Sequence, residues 1–206
     1  MFRGRGLSLS DFSEAMLPLS RDFYSRYVVD VARSLLGKVL VRIVDEGIMA
    51  GLIVEVEAYR GSDDPASHAY RGMTERNKVM WSKPGTAYVY QIYGIHYCLN
   101  VVAEPEGSPA AVLIRAVEPI LGLELMLRNR RVDDIRSLTN GPAKLTKALA
   151  INRSFNGWDL TLGEKLYISR GIDVDEEHVV VTPRIGVRDR RPWRFYIKGN
   201  RFVSKR

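Results

Sequence analysis

The stretch that decides the fold is KVLVRIVDEGIMAGLIVEVEAYR, residues 38–60. Residues 38–45 are rich in Val, Leu and Ile, the pair Glu46-Gly47 supplies turn chemistry, and a second extended run follows over 52–60. Two such runs joined by a turn predict a β-hairpin. Side chains alternate across a strand, so the second run is expected to send Val54, Val56 and Ala58 to one face and Glu55, Glu57 and Tyr59 to the other. Two acids and an aromatic then share a surface.

Upstream, Tyr24, Tyr27, Val28, Val31 and Leu35 recur at helical spacing before Gly37, which predicts one helix over 20–36. Downstream, residues 61–85 (GSDDPASHAYRGMTERNKVMWSKPG) are polar and broken by Gly and Pro. They read as a long loop with one short helix after Thr74, and loops of this length are usually functional. In TAYVYQIYGIHYCLNVVAE, residues 86–104, two β-rich runs meet at Gly94 and predict a second hairpin. Its tip carries Tyr93, Ile95 and His96, large side chains for a turn.

Residues 111–117 read as a strand and 119–130 as an amphipathic helix ending in RNRR, a basic end that suits the helix dipole. A further helix runs to 150, with Asn140 as its expected cap, Pro142 in its first turn, and Lys144 and Lys147 near its start. The remainder alternates short strands and turns. Residues 1–19 read as a short N-terminal arm and 20–206 as a single domain of the α+β class.

The 206 residues suit one domain with its own core, and no apolar run approaches the roughly 20 residues needed to cross a bilayer. The opening MFRGRGLSLSDFSEAML lacks the continuous apolar core of a secretory signal. Cys98 is the only cysteine, so an internal disulfide cannot form and an intracellular, reducing compartment is expected, cytoplasmic in a prokaryote. Lys and Arg outnumber Asp and Glu by 31 to 24, a net charge of +7 that favours polyanions, although many basic proteins bind no nucleic acid. Of these cations 23 are Arg and 8 are Lys, and guanidinium suits phosphate oxygens better than a point charge does.

Glu57 is the first candidate for chemistry, because a carboxylate on the inner face of a strand can hold and deprotonate a water when its neighbours fix it. A lone glutamate is far more often a solvated surface acid. Its company alters that balance: Tyr59, His68, Tyr88, Tyr90 and Tyr93 offer the aromatic faces that a base removed from its stack requires, though each tyrosine alone is more readily explained as core packing. His68, His96 and His178 lack the paired spacing of a metal site, so no metal is expected. No GxSxG elbow, P-loop or GxGxxG after a strand is present, and Cys98 reads as a strand residue.

The segments EVEAYRGSDDPASH, TERN, KPGTAYVYQIYGIHYCLNVV, VLIRAVEP, NGPAKLTKALAIN and PWRFYIKGN follow in this order between residues 55 and 200. Together they resemble the alkyladenine (3-methyladenine) DNA glycosylase family over about residues 20 to 203. The resemblance implies a compact mixed domain around an antiparallel β-sheet with a protruding β-hairpin, and a DNA repair N-glycosylase of base excision repair. Such an enzyme flips alkylated or deaminated purines out of the duplex and hydrolyses the N-glycosidic bond, leaving an abasic site without a cofactor. By the same resemblance, Glu57 is the general base and Arg115 helps hold the attacking water. Tyr59, His68 and Tyr90 enclose the base, Asn100 lies against the purine edge, and Tyr93, with Ile95 beside it, is the wedge inserted into the DNA. Arg71, Arg76 and Lys144 are the candidate contacts to the DNA backbone.

The resemblance also implies a monofunctional hydrolase that works as a monomer on double-stranded DNA containing damaged purines, with no membrane partner. No lysine matches a Schiff-base nucleophile. A module that merely binds nucleic acid would share the basic and aromatic content, but the set Glu57, Arg115, Tyr59, His68 and Tyr90 speaks against it. A nuclease is disfavoured by the lack of a convincing metal-binding acid cluster.

Overall fold

A computed structural model describes residues 16–204. The first fifteen positions of the expected arm lie outside the described residues; of the rest, Pro18 bridges to Ser169 and the Leu19 N–H donates to the Ile168 carbonyl at 2.8 Å. Strand β1 (Val39–Val44) and strand β2 (Gly47–Tyr59) form the expected hairpin, with Asp45 and Glu46 in the turn and Val44 paired to Gly47. They are followed by β3 (Ala87–Ile92), β4 (His96–Val102), β5 (Ala111–Leu121), β6 (Leu166–Ser169), β7 (Val179–Thr182) and β8 (Arg194–Ile197). The order across the sheet is β3-β4-β5-β2-β1-β6, with β8 joined to β2 and β7 to β8, and every pairing is antiparallel.

The thirteen-residue β2 is the centre of this arrangement. Along Glu55 to Glu57 it pairs with β5 on one edge and with β8 on the other, so no side of its backbone is left to solvent there. Of three register shifts against β5, the two that flank Glu55 cancel, and they leave Val54 and Arg115 without direct partners in that pairing. This irregularity corrects the simple alternation. Ile53, Val56 and Ala58 enter the main core, whereas Val54 packs separately with Ala116 and Phe202. Bulges reverse the parity of a strand and re-aim side chains, and here the side chain re-aimed on β5 is Arg115.

The helices also differ from the periodic reading. The expected helix over 20–36 is two: α1 (Arg21–Tyr24) and α2 (Val28–Leu35), separated by residues 25–27, with Tyr27 in a non-helical conformation (φ −51°, ψ 131°). The Val28 N–H, which a continuous helix would have bonded internally, donates to Glu104 Oε1 at 3.2 Å. The helix expected over 119–130 begins late, as α3 (Leu123–Arg130), because Pro119 and Ile120 still belong to β5. Gly122 makes the corner at φ +73°, where an added Cβ would lie 2.4 Å from the Ile48 carbonyl oxygen.

Helix α4 (Pro142–Ala148) is capped by Gly141 and not by the Asn140 side chain, whose Oδ1 accepts from Lys144 Nζ at 2.7 Å instead. Helix α2 packs on β2 and β5, and α4 on β4 and β5, burying Val28, Val31, Leu35, Leu145 and Leu149 against the sheet. Among the described residues no helix is long and apolar enough to cross a membrane.

Candidate active site

The carboxylates of Glu55 and Glu57 are both fully buried, and a buried charge is tolerated only when it is hydrogen-bonded and balanced. Glu57 meets that demand locally. Its Oε1 accepts from the Ile185 N–H at 2.7 Å, and its Oε2 accepts from the Tyr59 hydroxyl at 2.8 Å and from Arg115 Nη1 at 3.2 Å. A carboxylate oxygen can accept twice, and among the described residues only the Ile185 N–H donates to Oε1. Burial lifts the Tyr59 hydroxyl well above the ordinary tyrosine range, and the charge and hydrogen bond of Glu57 lift it further, so Tyr59 is a committed donor. For Arg115, burial opposes the charge, but Glu57 and Glu55 outweigh it and hold the guanidinium above its usual value.

Tyr59 also faces a cavity. Its other walls are the rings of His68, Tyr88 and Tyr90, and Asn100, Met80 and Val187 close it together with the small side chains of Ala66 and Ala111. The rings brace one another. His68 and Tyr90 meet edge-on with centroids 4.5 Å apart, Tyr88 and Tyr90 lie 5.2 Å apart, and His68 Nδ1 is 3.0 Å from the Tyr88 hydroxyl. Burial pushes the Tyr88 hydroxyl up to about 12. Desolvation against these rings, and then the charge of Arg76, lower the His68 imidazole below its usual value. Asn100 is buried, and its Nδ2 donates to the Tyr88 carbonyl at 3.0 Å, so its amide is held in one orientation.

The long loop is shaped to present His68. Asn77 Oδ1 accepts from the Thr74 N–H at 2.6 Å while its Nδ2 donates to the carbonyls of His68 and Gly72. The helix expected after Thr74 is a single 3-10 turn, Lys78–Trp81. Arg71 and Arg76 are exposed on this loop, and Arg76 reaches the Gln91 carbonyl at 3.2 Å and stands 5.9 Å from the Tyr90 ring. Lys144 is on α4.

The β3–β4 hairpin closes at Ile92 opposite His96, leaving Tyr93, Gly94 and Ile95 as its tip. Tyr93 is 89% exposed and holds φ +50°, a left-handed conformation unfavourable for a bulky side chain; Ile95 is 73% exposed. Strain of this kind persists where surrounding structure enforces it, and it concentrates at functional sites.

The structure therefore brings Tyr59, His68, Tyr90 and Asn100 to one cavity, with Glu57 and Arg115 behind Tyr59. Tyr93 and Ile95 stand out at the hairpin tip. The sequence reading missed the groups that hold this centre from the C-terminal third. Arg184 makes a two-pronged ion pair with Asp64 at 2.6 and 2.7 Å, donates to the Ala58 carbonyl, and lies over the rings of Tyr59 at 4.6 Å and Trp193 at 5.3 Å. Ile185 reaches Glu57, and Arg194 and Ser204 reach Glu55. One signal was available: two acids on an inner strand face require cations, and RIGVRDRRPWR, residues 184–194, is the densest source of them. Among the described residues no group of three or more His, Cys, Asp or Glu side chains could hold a metal ion.

The family model for methylpurine-DNA glycosylase matches residues 22–201. A protein of Carboxydothermus hydrogenoformans, provisionally named 3-methyladenine DNA glycosylase, is 51% identical over 190 residues, covering 91% of this chain and 99% of its own. Relatives with the same provisional name from Methanocella arvoryzae and Prosthecochloris aestuarii are 50% and 48% identical; the alignments cover 91% and 90% of this chain and 96% and 90% of theirs. The protein is a monofunctional DNA glycosylase. It belongs to the methylpurine-DNA glycosylase family and acts on alkylated purines in base excision repair.

Proposed function

We propose that the enzyme extrudes a damaged purine from double-stranded DNA into the aromatic cavity and that Glu57 directs water at the anomeric carbon, leaving an abasic site. The observation that carries this reading is a buried carboxylate hydrogen-bonded to the hydroxyl of a cavity ring, Tyr59, with acceptor capacity to spare. A carboxylate so fixed can take the proton of a water and can also stabilise the cationic character that develops on the sugar. Arg115 steadies Glu57 and the water. Tyr59, His68 and Tyr90 stack on the base, and Asn100 meets its edge.

Tyr93, with Ile95, fills the gap the nucleotide leaves, a role that suits large exposed side chains at a hairpin tip. Arg71, Arg76 and Lys144 contact the phosphate backbone, in keeping with the net charge of +7. The substrates include 3-methyladenine and deaminated purines such as hypoxanthine. The protein acts as a monomer on DNA inside the cell, which for a prokaryotic source means the cytoplasm.

The test is a panel of duplexes, each with a single 3-methyladenine, 7-methylguanine, hypoxanthine or ethenoadenine, assayed for free base and for abasic sites. Release of base from 3-methyladenine and hypoxanthine with the strand left intact is expected. Binding to every duplex without release of any base would overturn the reading.

A further inference from the structure

Glu55 is a second fully buried carboxylate, and the hydrolytic scheme makes no use of it. Its Oε1 accepts from Arg115 Nε at 2.9 Å, from Arg194 Nε at 2.8 Å and from Ser204 Oγ at 2.9 Å, while Oε2 accepts from the Ser204 N–H at 2.6 Å. Arg115 is thereby shared, its Nε on Glu55 and its Nη1 on Glu57. A guanidinium is a rigid plane, so fixing one nitrogen sets the direction in which the others point. The strand irregularity that leaves Arg115 unpaired on β5 lets one side chain span both acids of β2. Arg194, opposite Glu57 in the β2–β8 register, turns its Nε to Glu55.

We propose that Glu55 is a positioning residue for base excision: it aims Arg115 at Glu57 and offsets the arginine charge, so that Glu57 remains able to accept a proton from water. The proposal rests on Glu57 acting as the base. The titratable and charged groups around Glu57 are Glu55 and Tyr59 on β2, Arg115 on β5, Arg194 on β8, Cys98 on β4, and Arg184 behind Tyr59.

Glu55→Gln keeps the shape and removes one negative charge, so the Arg115 guanidinium shared by the two acids is left with Glu57 as its carboxylate partner. Excess positive charge opposes protonation there and also makes a weaker base. The acid limb of the single-turnover rate against pH is therefore expected to move to lower pH. The plateau should fall about 10- to 100-fold, the scale set by a misplaced catalytic group, while affinity for lesion duplex at fixed salt is retained. A residue that merely stabilised the fold would lower the folded fraction without moving the limb. Glu55→Asp keeps the charge but withdraws the oxygen from Arg115, so slower release with an unmoved limb is expected.

Folded Glu55→Gln protein with a wild-type plateau and limb overturns the proposal. So does folded Glu55→Asp protein with full release, which covers the case in which the Gln variant does not fold. Glu57→Gln, measured alongside, separates the two claims. Near-normal release by Glu57→Gln defeats the base reading itself, whereas an inactive Glu57→Gln beside normal Glu55 variants defeats only the role of Glu55.

Discussion

The Tyr59 hydroxyl donates to Glu57 Oε2 at 2.8 Å across two positions of one strand, so a single side chain both walls the cavity and holds the carboxylate behind it. Tyr59→Phe separates these duties by keeping the ring and removing the donor. A hydrogen bond to a charged group contributes about 1.5–3 kcal/mol, so single-turnover release should slow by roughly ten- to a hundredfold while lesion-duplex affinity holds. Tyr59→Leu should lose affinity as well. Equal rates for Tyr59→Phe and wild type would show that the bond does not serve the reaction.

His68 should stay neutral at pH 7, because desolvation and then Arg76 lower its imidazole. The sign follows from linkage: below the ordinary histidine value of about 6.5 the unfolded chain takes up a proton that folded His68 still resists, so this residue costs stability as pH falls through that value. An imidazole NMR titration should show a midpoint below that of free histidine, and Arg76→Ala should raise it. A midpoint at or above the free value would contradict the assignment.

Asn100 presents a fixed amide to the cavity because its Nδ2 is tied to the Tyr88 carbonyl. Crowding of the exocyclic amino group of normal guanine by this amide is the expected basis of discrimination. Asn100→Ser should raise guanine release relative to hypoxanthine release, and an unchanged ratio in folded protein would remove Asn100 from that role.

Tyr93 offers an exposed ring on a strained turn, and stacking in the vacated gap is worth roughly 1–3 kcal/mol. Tyr93→Ala should slow release from duplex DNA by about tenfold or more, with a smaller penalty on a lesion in a single strand, where little stacking has to be broken. Equal penalties on both substrates would make Tyr93 a structural residue.

Much of this was legible in the chain itself. Turn chemistry at Glu46-Gly47 and at Gly94 marked both hairpins, although β2 begins at Gly47 and not near 52, and Glu55, Glu57 and Tyr59 lie on that strand as expected. Periodicity failed where tertiary bonds replaced local ones. Val28 donates to Glu104 and not within a helix, Pro119 pairs in a sheet, and the parity of β2 reverses at a bulge set by its neighbour. The partners of the buried acids were hidden for the same reason, since Ile185 lies 128 positions from Glu57 and Ser204 lies 149 from Glu55. Only the completed sheet brings them together.

The central claim is that Glu57 activates water, and the measurement that tests it most directly is single-turnover base release by Glu57→Gln beside its affinity for lesion DNA at one fixed salt concentration. The amide keeps the shape of the side chain but cannot take the proton. Loss of a general base typically costs about 10²- to 10⁴-fold, and loss of the negative charge beside a cationic transition state adds to that. Affinity should be retained or rise, because one negative charge leaves a protein that binds phosphates. Near-normal release by folded Glu57→Gln protein would contradict the account.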